Sequence, residues 1–443
     1  MPVTRGSTFD FLIGRLRQSF TTLPDNRQGK NIQYTIAAAA SSAFSVFFTQ
    51  EPSFLSYQKR MREKYGSSNE KTLFGSESIP SDTQIRRLLD KVPAKTINQV
   101  FWDSISYVKQ AGELEHFRTT VGERDILVAL DGTWYFSSQD IHCNNCLTKT
   151  HDGEKTFYHA MINPVIAVAG KTQVLPLPPE FIKNTDGDQK QDCEQNAAKR
   201  WIREHGKRVS QMRVTILGDD LYTHQPICKE LLDHGFNFIL VCKEQSHKTV
   251  YEWIKGITEE IRVEKVTGVR KIKKETWVYR YVNEVPLKDG EDALLVNWCE
   301  ITILDENGKR IYKNAFVTNH TITAQNVEQI TACGRTRWKI ENENNNTLKN
   351  QGYHLEHNFG HGKVHLASLL AVFNILAFAF HTILEIMDQA YKLVREKSGR
   401  RDTVFHSIRT LLSLFLFESF SSLMEFILGY KEITDIENIP VPI

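Results

Sequence analysis

The chain has no Gly-rich phosphate loop, no Ser/His/Asp or Cys/His catalytic pattern, and almost no net charge. The missing motifs leave the common nucleotide-cradling and covalent-nucleophile chemistries without a carrier. A formal net charge of +2 means that any affinity for nucleic acid has to come from a local surface. Cysteine is sparse: seven residues, an odd number spread over 443, fit a reducing cytosol and not a disulfide framework. The first 30 residues hold Arg5, Arg15, Arg17 and Arg27 but no apolar core before a cleavage site, so no signal peptide is expected. What remains is an ordinary globular composition, 41% hydrophobic and 24% charged, long enough for two or three domains.

One stretch mimics a membrane span, Leu366 to Met387, but Asn374, His381 and Glu385 interrupt it. A second apolar stretch, Leu411 to Leu428, carries Glu418 and Glu425. Both read as buried core helices packed together, and no membrane association is expected. The N-terminal region, residues 1–120, reads as short helices punctuated at Pro24, Pro52, Gly66 and Pro80. Ser81 or Asp82 caps one of them. Lys59, Arg60, Arg62 and Lys64 give it a basic face, compatible with a DNA-binding helix-turn-helix or with a solvated bundle.

In the middle of the chain, Asp125 to Leu130 is an apolar run of strand length ending at Asp131-Gly132, and Trp134 to Phe136 continues as a strand. Arg213 to Leu217 is a second such run, ending at Gly218-Asp219-Asp220. A helix through Ile227 and Leu231 and a strand from Phe236 to Val241 follow. Strand, helix, strand implies a parallel pair and an α/β core, in which functional groups collect at carboxyl ends of strands. Asp131 and Asp219 both stand at such an end; the alternative for either is a turn or cap aspartate. Gln189 to Arg203 reads as a covering helix and not as a site. Cys143-Asn-Asn-Cys146, with His142, His151 and His159 nearby, has zinc-ligand types, but no second CxxC pair accompanies it. Reduced cysteines in a turn are the competing reading.

From residue 248 to 320 the pattern alternates, with strands expected at Trp277–Val282, Ala293–Cys299 and Ile311–Val317. This β-rich insertion is locally basic through Arg262, Lys265, Arg270, Lys271, Lys273 and Lys274. Trp277, Tyr279 and Tyr281 suit base stacking, or stand on an exposed sheet face. Gly334 to Lys349 then reads as a helix crowded with charge and amide groups, although Asn is a poor helix former. On an α-helix Arg337 lies within about 40° of Glu341, whereas Glu343 is about 200° away from it. An acid at each of two strand ends plus one on a helix suits two-metal phosphoryl chemistry, with hard carboxylate ligands for Mg²⁺ or Mn²⁺.

Here the chain resembles the DDE transposases of bacterial insertion sequences, whose core is RNase H-like. The resemblance is carried by LVALDGTWYF around Asp131, ILGDDLYTHQPICKELLDHGFNFILVCK around Asp219, FVTNH at 316–320, and GRTRWKIENENNNTLKNQGYHLEHNFGHGK at 334–363. It is similar to the branch with a Tyr-x2-Arg-x3-Glu-x6-Lys signature and a β insertion in the core. The resemblance implies Asp131, Asp219 and Glu341 as metal-binding and catalytic triad, with Glu343 as rival third acid. Arg337, Lys349 and Tyr222 would be the DNA contacts: Arg337 would hold DNA phosphate, Lys349 would contact the transposon end, and Tyr222 matches the aromatic after the second aspartate. Two positions depart: Gly334 occupies the signature tyrosine's place, and Lys349 lies eight residues after Glu341 where the pattern has seven. The implied organisation is a helical DNA-binding region at 1–120, a core split into 121–247 and 321–390 around an insertion at 248–320, and C-terminal helices at 391–443. The implied function is Mg²⁺-dependent strand cleavage and transfer on double-stranded DNA, by a homodimer or larger assembly in the bacterial cytoplasm. A regulatory or domesticated derivative that binds DNA without cutting it is the alternative.

Overall fold

Local sequence signals set most element ends in the computed structural model, which describes residues 7–28, 32–76, 78–183, 193–270 and 273–430. Ser7, Thr35, Ser53 and Ser81 each accept a backbone N–H from three residues on. They thereby satisfy otherwise orphaned donors at the starts of α1 (Thr8–Thr21), α2 (Ile36–Phe48), α3 (Phe54–Arg60) and α5 (Asp82–Leu89). The remaining helices of this region are α4 (Gly66–Phe74) and α6 (Asn98–Gln110). Then come β1 (Ile126–Ala129), β2 (Gly132–Ser138), β3 (Leu147–His151), β4 (Glu154–Ile162), β5 (Val165–Ala167), β6 (Leu175–Pro176) and β7 (Glu180–Ile182). Helix α7 (Glu194–Ser210), β8 (Val214–Gly218), α8 (Gln225–Asp233), β9 (Asn237–Val241) and α9 (Lys248–Gly256) follow. Strands β10 (Arg262–Arg270), β11 (Lys273–Pro286), β12 (Leu295–Leu304) and β13 (Arg310–Thr318) lead to α10 (Val327–Arg335). Last are α11 (Asn346–Asn350), α12 (Leu366–Met387), α13 (Gln389–Ser398), α14 (Arg401–Leu414) and α15 (Phe420–Leu428).

The chain divides into two compact units: Met1–Glu113 with Tyr135–Tyr158 and Asn346–Ile443, and Leu114–Trp134 with His159–Asn345. The second unit is built on a nine-stranded sheet in the order β10-β11-β12-β13-β9-β8-β1-β5-β6. Strands β1, β8 and β9 run parallel, while β5 is antiparallel to β1 and β6 to β5. This mixed α/β arrangement is compatible with an RNase H-like core. The strands of the β-rich insertion do not fold apart: β13 pairs with β9 through Phe316↔Val241, so the same sheet continues. The insertion also opens with helix α9, which the alternating pattern does not signal.

Tyr279 and Tyr281 are buried on β11, where α10 rests on the sheet, so they neither stack on bases nor stand exposed, while Trp277 is half-buried. Lys271 of the basic run and Gln189 to Asp192 lie outside the described residues.

In the first unit, α12 is the centre. It is long and apolar enough to cross a membrane, yet 89% of its most apolar window is buried. Its polar interruptions are bonded inside the unit. Asn374 donates to the Tyr353 carbonyl at 2.7 Å, His381 Nδ1 lies 2.7 Å from the Tyr353 hydroxyl, and Glu385 pairs with Arg401 at 3.2 Å. Phe373 meets Phe20 and Phe44, and Phe420 of α15 stacks on Phe9 of α1. The stretch Leu411 to Leu428, read as one helix, is broken between α14 and α15. Ser419 starts α15 with a reciprocal capping box to Ser422.

Candidate active site

The register of the parallel strands builds the site. Ala129 pairs with Leu217, and the Leu130 N–H donates to the Leu217 carbonyl at 2.8 Å. Two residues beyond that pair, Asp131 and Asp219 leave the sheet side by side at its carboxyl edge. Gly218 makes the turn after β8 possible: a Cβ there would lie 2.9 Å from Tyr222, which folds back beneath the strand end. Asp219 then caps the short turn Asp220–Tyr222, accepting the Leu221 N–H at 2.9 Å. Asp220 is committed elsewhere, taking the Lys243 N–H at 2.6 Å and facing His247 at 3.2 Å.

A third acid joins them that the sequence did not single out. Glu194, from the helix read as mere cover, accepts the Gly132 N–H at 3.0 Å and the Tyr222 hydroxyl at 2.7 Å. Its signal was weak because an acid on an amphipathic helix looks like any solvated residue, and its partners lie 28 and 62 residues away. Tyr222 itself is fully buried with its hydroxyl on Glu194, so it offers DNA no surface, unlike the expected contact. Arg337 reaches in from the other side, 3.7 Å from the Asp131 carboxylate.

The electrostatics are those of crowded anions. Burial pushes the Asp131 carboxyl up to about 7, Glu194 and Asp219 add to the rise, and Arg337 opposes it. Glu194 is likewise raised, by burial first and by Asp219, while the Tyr222 hydroxyl restrains it. One arginine does not neutralise three carboxylates, and carboxylate oxygens are hard donors of the kind that hold divalent ions.

The expected helix over Gly334 to Lys349 is not one α-helix. It begins earlier, at Val327, and α10 ends at Arg335. Arg337, Lys339 and Ile340 then donate to carbonyls three residues back, after which Ile340–Asn345 forms a π-helix and α11 resumes. The run of asparagines explains the irregularity, since their side chains compete for backbone groups. The α-helical angles that relate Arg337, Glu341 and Glu343 therefore do not hold across this stretch. Glu341 is exposed on the π-helix and Glu343 half-buried. The segment is anchored next to the strand end: Asn163 donates its backbone N–H to the Asp131 carbonyl at 3.2 Å and its amide to Asn345 at 3.5 Å.

Gly334, the missing signature tyrosine, is pressed against the sheet, where a Cβ would lie 2.7 Å from Phe316. Lys349 belongs to the first unit, where it pairs with Glu356 at 2.8 Å, and Leu348 beside it is buried.

Asp131 and Asp219 thus stand at the carboxyl ends of neighbouring parallel strands, in a sheet compatible with an RNase H-like core. The model of the transposase DDE domain family matches residues 128–377, more than half the chain, and the chain belongs to that family. Membership supports transposase function, implies binding of DNA at transposon ends, and goes with general use of divalent metals. No curated protein matches the chain.

Proposed function

We propose that this protein is a transposase that cleaves DNA strands at the ends of a bacterial insertion sequence and transfers them to target DNA. The observation that carries the reading is the strand register that sets Asp131 beside Asp219, with Arg337 at 3.7 Å from Asp131. Asp131, Asp219 and Glu341 would hold Mg²⁺, or Mn²⁺ in its place, with Glu343 as the competing third ligand. Divalent ions held there would activate water or a 3′-OH and stabilise the leaving oxygen. Arg337 orients the scissile phosphate through its planar fork of donors. Tyr222 works by holding Glu194, and Glu194 positions the Gly132 turn beneath Asp131. Lys349 contacts the DNA backbone. Positioning and charge account for most of the rate in such chemistry. A homodimer or larger assembly would pair the two element ends, in the bacterial cytoplasm.

Supercoiled plasmid carrying the element's ends, incubated with pure protein and Mg²⁺, tests this. Nicking at the ends followed by strand transfer is expected. DNA that is bound but never cut, in Mg²⁺ and in Mn²⁺ alike, would instead establish the regulatory derivative.

A further inference from the structure

Away from the carboxylates, the first unit gathers soft ligands. Cys143 and Cys146 lie in a tight turn between β2 and β3, closed by the Cys146 N–H donating to the Cys143 carbonyl at 3.1 Å. The Cys143 N–H in return points at the Cys146 sulfur, 3.4 Å away. The two Sγ atoms are 3.9 Å apart, far beyond the roughly 2 Å of a disulfide. His361, 215 residues further along the chain, brings Nε2 to 3.4 Å from the Cys146 sulfur.

These spacings are the edges of a tetrahedron. With zinc–sulfur bonds of about 2.3 Å and zinc–nitrogen bonds of about 2.05 Å, ligands at tetrahedral angles stand about 3.8 Å apart for S–S and about 3.6 Å for S–N. The imidazole is set in the ligating tautomer. His361 Nδ1 lies 3.0 Å from the Gly362 carbonyl, which can only accept, so Nδ1 carries the proton and the Nε2 lone pair faces the sulfur. The Phe136 ring packs on the imidazole, with centroids 4.4 Å apart, and holds its plane. The loop bearing His361 is fixed in turn, because Asp90 accepts the backbone N–H groups of Lys363 to Leu366 and Asn145 donates to the Val364 carbonyl.

We infer that Cys143, Cys146 and His361 hold a structural zinc ion. The site ties the β2–β3 turn to the segment that leads into α12. Two thiolates and imidazole select zinc, whereas the carboxylates at Asp131 select hard ions, so the two centres differ in metal as well as in place.

Protein produced with zinc in the medium and purified under reducing conditions is to be analysed for bound metal, then exchanged with Co²⁺. The expected result is near one zinc per chain, and a cobalt derivative with thiolate-to-metal absorption and intense visible bands of tetrahedral coordination. Cys146→Ser is expected to lose the zinc and the thiolate absorption. Should that variant fail to fold, His361→Cys decides, by keeping the metal with a stronger thiolate band. Asp131→Asn is expected to keep its zinc whatever its activity, which separates this site from the proposed catalysis. Wild-type protein with both thiols reduced that holds no zinc and gives no thiolate–cobalt band would overturn the assignment. An unchanged cobalt spectrum in folded Cys146→Ser would do the same.

Discussion

Asp131 and Glu194 illustrate how single side chains trade stability for a charge pattern. In the metal-free protein their carboxylates repel, and both sit partly out of water. Glu194→Gln keeps an oxygen for the Tyr222 hydroxyl and the Gly132 N–H while removing the repulsion. The melting temperature of metal-free Glu194→Gln should therefore rise above wild type, and its strand cleavage should fall. Cleavage by Asp131→Asn, Asp219→Asn and Glu341→Gln is expected to drop by at least about 100-fold, the order typical for loss of one electrostatic element of a transition-state site. Run side by side with Glu343→Gln, these variants also choose the third acid: an active Glu341→Gln with a dead Glu343→Gln would reverse the assignment. The two aspartates were legible because a buried parallel strand writes itself as a short apolar run, and Asp at its end is then placed by topology. Glu194 was illegible because its role depends on where α7 docks, which no local pattern records.

Among the elements, α10 and α4 carry the sharpest consequences. Gly334 of α10 has no room for a side chain against Phe316 and Ile239. Restoring the signature residue with Gly334→Tyr should destabilise the fold by at least about 1–3 kcal/mol, the usual cost of overpacking, as read from urea melts. On α4, Glu70 is fully buried, with Arg60, Ser45 and Tyr57 as the polar groups that act on its carboxyl. Burial raises its pKa from the usual 4.5 to about 7, with Arg60 pulling the other way. Between these values the folded chain keeps the proton while the unfolded chain has lost it, so stability falls as pH rises through that window. The loss is roughly 3 kcal/mol if Glu70 acts alone, at about 1.4 kcal/mol per unit. Urea titrations of wild type and Glu70→Gln at pH 5 and pH 8 check this; the variant should lack that part of the slope. Element types were readable from periodicity and caps. The exceptions were strands β3 to β7, α9 at the start of the insertion, the π-helical turn at Ile340–Asn345, and the break between α14 and α15.

At the scale of the whole chain, the apolar stretch of α12 is the feature most open to misreading. Its aromatic residues are spent on α1, α2 and α14, and its polar ones are bonded inside the first unit. Expressed protein should accordingly stay in the supernatant after high-speed centrifugation without detergent; recovery only in the membrane fraction would contradict the burial. Phe373→Ala should cost about 3–5 kcal/mol, the range for removing a buried aromatic ring, and so abolish much of the stability of a typical domain. The split of the chain into two units, each assembled from separated segments, was beyond sequence reading. Local periodicity does not say which distant segments pack together.

The π-helical turn at Ile340–Asn345 bears on how such chains change over generations. A wide turn takes in an additional amino acid while the helix on either side keeps its direction. An inserted residue there is expected to cost less stability than one within α10 or α12, as urea melts of single-residue insertions would read. Lys349 sits one residue late relative to the Tyr-Arg-Glu-Lys pattern, which is the shift that one inserted asparagine codon in this turn would leave. A search that counts residues between glutamate and lysine would discard such a sequence; one that admits a variable gap across the asparagines would keep it.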